Sequence, residues 1–190
     1  MRRFLYPAIP ARSVAGIVFF TLAGAAVAGI YGVVHDQITY SISKEYFTRF
    51  KFIQFYYAEP ASGSEREFAG RIGFLASWWV GALTAWVIAR ISLKQNGELP
   101  NWRKMAKGFL MVFATSALVA AGGGFFGEWK TGSGGAVEKV ESLGFVGIED
   151  AASFLIVGYI HNGSYIGGVL GTILAIIFLL RCRLMLGESP

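Results

Sequence analysis

His35 and His161 are the two histidines of the chain, and each precedes a short polar residue, in His35-Asp36-Gln37 and in His161-Asn162-Gly163. Tyr31 and Tyr40 lie near the first, and Tyr159 and Tyr165 near the second. Imidazole titrates closest to neutrality of all side chains and is the commonest protein metal ligand. Joined by carboxylates from Asp36, Glu45, Glu128, Glu149 or Asp150, two imidazoles can hold zinc, or a non-haem iron if coordination positions stay open. The chain has no H-x-x-x-H, H-E-x-x-H or E-x-x-H spacing and no pair of cysteines. Three uses of the histidines therefore stay open. A divalent metal would draw on His35, Asp36, Glu128 and His161. A small or proton-linked ligand would draw on His35, Asp36, Tyr40, Glu45, His161 and Asn162. In the third use, both rings satisfy buried polar groups at a membrane interface.

The elements that must carry these residues are read from apolar composition. Hydrophobic residues make up 54% of the 190 positions and charged ones 15%. Four apolar stretches run from about Ser13 to Val34, Gly70 to Ser92, Met105 to Phe126, and Ala152 to Leu180, the last with an amphipathic lead-in before 154. A bilayer core of about 30 Å needs roughly 20 residues of helix. Backbone amides in lipid must be satisfied within the segment, and no alternating ten-residue strands suggest a barrel. The expected fold is all-α: one integral membrane domain over residues 1–190, with four transmembrane helices. Arg2 and Arg3 before an apolar run that contains Ala26-Val27-Ala28 could suggest a cleaved signal, but the run is too long and starts too late for one.

Orientation follows from Lys and Arg near the helix ends. Arg2, Arg3, Arg12, Arg90, Lys94, Arg103, Lys104, Lys107, Arg181 and Arg183 fall on one side, which predicts cytoplasmic termini and a cytoplasmic loop over 93–104. Loops 35–69 and 127–153 then face outward, and both histidines come to the outer ends of their helices. The net charge of +5 is a consequence of this topology and of contact with anionic lipid headgroups, so it calls for no nucleic-acid partner.

Small residues at four-residue spacing let helix backbones approach in lipid. Such stripes comprise Gly163, Gly167, Gly171 and Ala175; Ser77, Gly81, Ala85 and Ala89; and Thr21, Ala25 and Gly29. They serve either packing within one chain or homo-oligomerisation. The third segment is expected to end in Gly122-Gly123-Gly124. Trp102 and Trp129 read as interfacial anchors. Between Tyr40 and Tyr57, eight of eighteen residues are aromatic and Lys44, Glu45, Arg49 and Lys51 are interleaved. Tyr46, Phe47, Phe50, Ile53 and Tyr57 recur at helical spacing, which predicts an interfacial helix with its apolar face in lipid or on the bundle.

Other features carry less. Gly132-Ser133-Gly134-Gly135 lacks the strand and the closing Lys-Ser or Lys-Thr of a phosphate loop. Cys182 has no internal partner, and no nucleophile elbow or paired-carboxylate motif appears. The stretch His35 to Phe52, HDQITYSISKEYFTRFKF, resembles a segment that follows the first hydrophobic helix in an uncharacterised family of small bacterial membrane proteins. The resemblance covers about a tenth of the chain and implies a bacterial inner-membrane setting without assigning an activity; Lys44 stands where that family carries proline.

Three functions fit these observations. The first is a small inner-membrane protein whose outward-facing cluster binds an ion or small ligand, in the manner of a transporter, receptor or regulator. No charged residue is expected at the middle of any helix, which favours a site at the outer mouth over a pump. The second is a structural or assembly subunit of a larger membrane complex. The third is a metal-dependent membrane enzyme.

Overall fold

A computed structural model of the chain describes residues 9–55, 63–93 and 102–184. Four long helices dominate: α1 (Ala11–Ile42), α4 (Glu65–Ser92), α5 (Trp102–Gly132) and α7 (Ala151–Leu184). Shorter ones are α2 (Lys44–Tyr46), a π-helical turn over Phe47–Lys51, α3 (Phe52–Gln54) and α6 (Ala136–Ser142). No strand occurs among the described residues. The four long helices are each long and apolar enough to cross a membrane, so the chain is an all-α, multi-pass membrane protein. Phe19, Leu22, Leu118, Phe125 and Val169 point outward from the bundle, where lipid rather than water solvates them. Trp102 and Trp129, both exposed, stand about 40 Å apart along α5 at 1.5 Å per residue. That span matches the two headgroup regions they were expected to anchor.

The helices outrun the apolar stretches because composition marks the lipid-crossing part, not the helix end. α1 continues past Val34 to Ile42, through polar residues that serve themselves: Thr39 Oγ1 donates to the His35 carbonyl at 3.0 Å and Ser41 Oγ to the Gln37 carbonyl at 3.0 Å. It stops at Ser43, which is extended and whose side chain accepts the Tyr46 N–H to start α2. α4 begins at Glu65 rather than Gly70, under a capping box in which Ser64 and Glu67 each accept the other's backbone N–H. The triple glycine does not end α5. The helix runs on to Gly132 because Gly123 and Gly127 lie against Tyr159 and Ile156 of α7.

The bundle is two antiparallel pairs. Along α1 and α4, Gly24, Ala28 and Gly32 face Gly73, Ser77, Gly81 and Ala85, and Ser77 Oγ donates across the contact to the Ala28 carbonyl at 2.8 Å. The expected α1 stripe is thus displaced: of Thr21, Ala25 and Gly29, only Gly29 is buried, against the Phe74 ring. Along α5 and α7, Gly163 meets Val119 and Ala120, a Cβ on Gly167 would lie 2.7 Å from Ser116 Cα, and one on Gly171 would lie 2.7 Å from Val112 Cα. The glycine and small-residue stripes are filled inside one chain.

The pairs join through two cores. At one end Ile17, Ala85, Ile88, Met105, Val112, Ala175 and Leu179 pack together, with Phe109 edge-on to Phe20 and Phe113. At the other end Tyr40, Tyr46, Phe47, Phe52, Ile72, Val140, Phe154 and Leu155 form a second core. The aromatic segment contributes to that core, so its apolar face is on the bundle. Its register differs from the expected stripe. Tyr46 and Phe47 are buried, but Ile53 is exposed and Lys51 and Phe52 turn inward. A π-helical turn holds one more residue than an α-helical turn, which rotates every later side chain around the axis. Tyr57 lies outside the described residues.

Candidate metal centre

His35 and Asp36 sit on α1 about two turns before its end, and His161 sits on α7 ten residues after its start. These two helices run antiparallel, so the three side chains meet. One ligand atom from each lies within 4.8 Å of the others. His161 Nε2 is 3.8 Å from Asp36 Oδ1. His161 and Asp36 are 3% and 4% exposed. The Nε2 atoms of both histidines are buried and have no hydrogen-bond partner among the described residues. A buried polar atom left unpaired costs about 1–3 kcal/mol, so two beside a carboxylate make this cluster a candidate ligand site. This is inside the bundle, not at the mouth where the apolar stretches put it, because α1 and α7 both extend past the histidines.

Aromatic rings wall the centre. Tyr46 stacks on His161 with centroids 5.0 Å apart and planes at 20°, and Phe47 and Tyr165 approach the same ring. Burial, helped by Tyr165 and Asp36, pushes the Tyr46 phenol above its ordinary pKa of 10.0, which keeps it a hydrogen-bond donor. Tyr31 lies beside His35, and its hydroxyl reaches Ser116 Oγ at 3.3 Å and Ser164 Oγ at 3.4 Å. Ser116 in turn donates to the Ser164 carbonyl at 2.9 Å. The π-helical turn delivers Lys51, 5% exposed, whose Nζ donates to the Tyr165 hydroxyl at 3.2 Å. Lys51 and His161 thus share a neighbour in Tyr165.

The remaining expected site residues go elsewhere. Tyr40 is buried one turn beyond Asp36, donates to Glu65 Oε2 at 2.8 Å, and lies under the Arg66 guanidinium. Glu45 accepts the backbone N–H groups of Glu149 at 3.0 Å and Asp150 at 2.9 Å, so it ties the segment after α1 to the start of α7. Glu128 is exposed on α5 and is outside the cluster. Its neighbour Gly127 faces α7, and a step of about 100° around the helix turns Glu128 away. Asn162 is exposed for the same reason beside buried His161. Tyr46, Ser116 and Lys51 were not singled out as site residues. Tyr46 left a signal as part of the aromatic stripe and Lys51 as a cation inside the same run, whereas Ser116 left none.

Compared with protein-family models, curated proteins and solved structures, the chain has no match.

Proposed function

We propose that this membrane protein binds one divalent transition-metal ion through His35, Asp36 and His161. The observation that carries the reading is the convergence of one ligand atom each from His35, Asp36 and His161 within 4.8 Å, on two imidazoles whose Nε2 atoms are buried without a hydrogen-bond partner among the described residues. Ligands about 2.0–2.2 Å from zinc at tetrahedral angles lie roughly 3.3–3.6 Å from one another. The 3.8 Å between His161 and Asp36 needs a shift of a few tenths of an ångström, and the widest pair roughly one more. Two imidazoles and a carboxylate suit zinc or a ferrous ion. In this reading the centre lies near the outer face of a bacterial inner membrane, which the excess of basic residues at the opposite end of the bundle supports. A binding or sensing role follows better than conduction, because the polar cluster is confined to one end while Phe109, Phe113 and Val112 fill the bundle further along.

Elemental analysis of detergent-purified protein tests this, alongside a His35→Ala, His161→Ala variant of the same elution size. About one metal ion per wild-type chain, lost in the variant, is the expected result. Wild-type protein that remains metal-free after incubation with zinc, and again with ferrous iron, would end the reading and favour a structural subunit.

A further inference from the structure

Lys51 is the member of the centre that a metal alone leaves unexplained. An ammonium group has three N–H donors, yet the Tyr165 hydroxyl is its one hydrogen-bond partner among the described residues. No ion pair within 4.0 Å joins it to a carboxylate there, Asp36 included. The Phe50 and Tyr165 rings lie 5.6 and 5.8 Å from Nζ and soften the burial without filling its hydrogen-bonding capacity. Burying an ammonium this incompletely paired is costly, and the turn that brings it in departs from α-helical geometry, a feature common at functional sites.

Charge gives the reason. With both histidines neutral, as metal ligands must be, Asp36 and Lys51 cancel. A divalent ion then leaves two uncompensated positive charges in a low-dielectric interior, which is strongly unfavourable without a counter-charge. Three protein ligands also leave a tetrahedral ion one position open.

We infer that the centre takes a small monovalent anion as its further ligand, bound to the metal on one side and to the Lys51 ammonium on the other. The inference rests on the metal-binding reading above. Its chemical class is a compact anion of hydroxide, formate or bicarbonate size, because Tyr46, Phe47 and Tyr165 all pack around the His161 ring. Lys51 is a positioning residue for that anion and not a metal ligand.

The test uses the full chain in detergent, loaded with cobalt(II) as a spectroscopic stand-in, and titrated with azide while the visible absorption is followed. Wild type, Lys51→Met and Lys51→Arg are compared after equal cobalt stoichiometry and elution size are established. Losing a charge-assisted hydrogen bond predicts azide affinity about 10- to 100-fold weaker in Lys51→Met, with Lys51→Arg close to wild type. Lys51→Gln keeps a hydrogen-bonding head without the charge and serves the same comparison if the methionine variant misfolds. Equal azide affinity with and without the charge, or no azide response from cobalt-loaded wild type, overturns the anion site and leaves the metal site standing. Failure of wild type to take up cobalt is seen before azide is added, and together with refusal of zinc and ferrous iron overturns both.

Discussion

The imidazoles of His35 and His161 meet edge to face, with centroids 4.8 Å apart and planes at 87°. They come from helices separated by more than a hundred residues of chain, so the contact depends on the whole bundle. With Asp36 on the next position of α1, the pair makes up the proposed ligand set.

That set makes a sharp comparison between two carboxylates. Asp36→Asn keeps the shape of the side chain but removes the charge that draws a cation, whereas Glu128→Gln changes an exposed group outside the cluster. Loss of even an outer-shell partner typically costs about 10- to 100-fold in metal affinity, so Asp36→Asn is expected to lose at least that much in competition with a chromophoric chelator. Glu128→Gln is expected to match wild type. Equal losses in both variants would mean that the wrong carboxylate has been assigned.

Adjacent glycines on α7 test the packing. A Cβ at position 167 would come within 2.7 Å of Ser116 Cα and 2.8 Å of the Thr115 carbonyl, while one at 168 meets nothing within 4 Å. Overpacking against a backbone that cannot yield costs about 1–3 kcal/mol or more. Gly167→Leu is expected to lower the thermal midpoint in detergent by several degrees or to abolish the monodisperse peak. Gly168→Leu is expected to change little. If both are tolerated, α5 and α7 do not pack as described.

Much of this arrangement was legible in composition and spacing. Four lipid-crossing segments follow from apolar length alone, and Gly163, Gly167 and Gly171, like Ser77, Gly81 and Ala85, fall on the faces their spacing indicates. On α1 the small residues are too dense to choose a face. Gly24, Ala28 and Gly32 compete with Thr21, Ala25 and Gly29, and the positions of Phe74, Ser77 and Gly81 on α4 decide between them. That the histidines belong at one end was legible from topology. Asp36 was legible as a partner too, but the exclusion of Glu128 was not, because it depends on the rotation of α5 against α7. Lys51 was hidden more deeply, since a single π-helical turn moves it inward where a regular helix would place its neighbours.

The start of α7 supplies a pH-dependent element away from the centre. Asp150 Oδ1 accepts the Ser153 N–H at 3.0 Å, and hydrogen bonds from Ser153, side chain first and then backbone, hold the Asp150 carboxyl below its ordinary 3.8. A depressed folded-state pKa stabilises the fold fully above the unfolded value, and that contribution is lost as pH falls through the folded one. Wild type is therefore expected to lose thermal stability from about pH 4 downward. Asp150→Asn, which keeps an acceptor but does not titrate, should show a smaller difference between pH 7 and pH 3. Glu45→Ala removes the two bonds to the Glu149 and Asp150 amides and is expected to cost about 1–2 kcal/mol at neutral pH. An unchanged melting profile in both variants would show that this helix start contributes nothing to stability.

Sidedness decides which solution the centre meets, and two thiols at opposite ends of the bundle can read it. Cys182 lies in the last turn of α7 beside Arg181, at the end of the bundle where Arg90 closes α4. Ser133 is exposed between α5 and α6, at the end that holds the histidines. The excess of Lys and Arg at the Cys182 end is expected to keep that end in the cytoplasm. In intact bacterial cells an impermeant maleimide should therefore spare Cys182 and label a Ser133→Cys, Cys182→Ser variant, whereas permeabilised cells should allow both to react. The reverse pattern would turn the bundle over without altering its packing. A metal at the proposed centre would then come from the cytoplasm rather than from outside the cell.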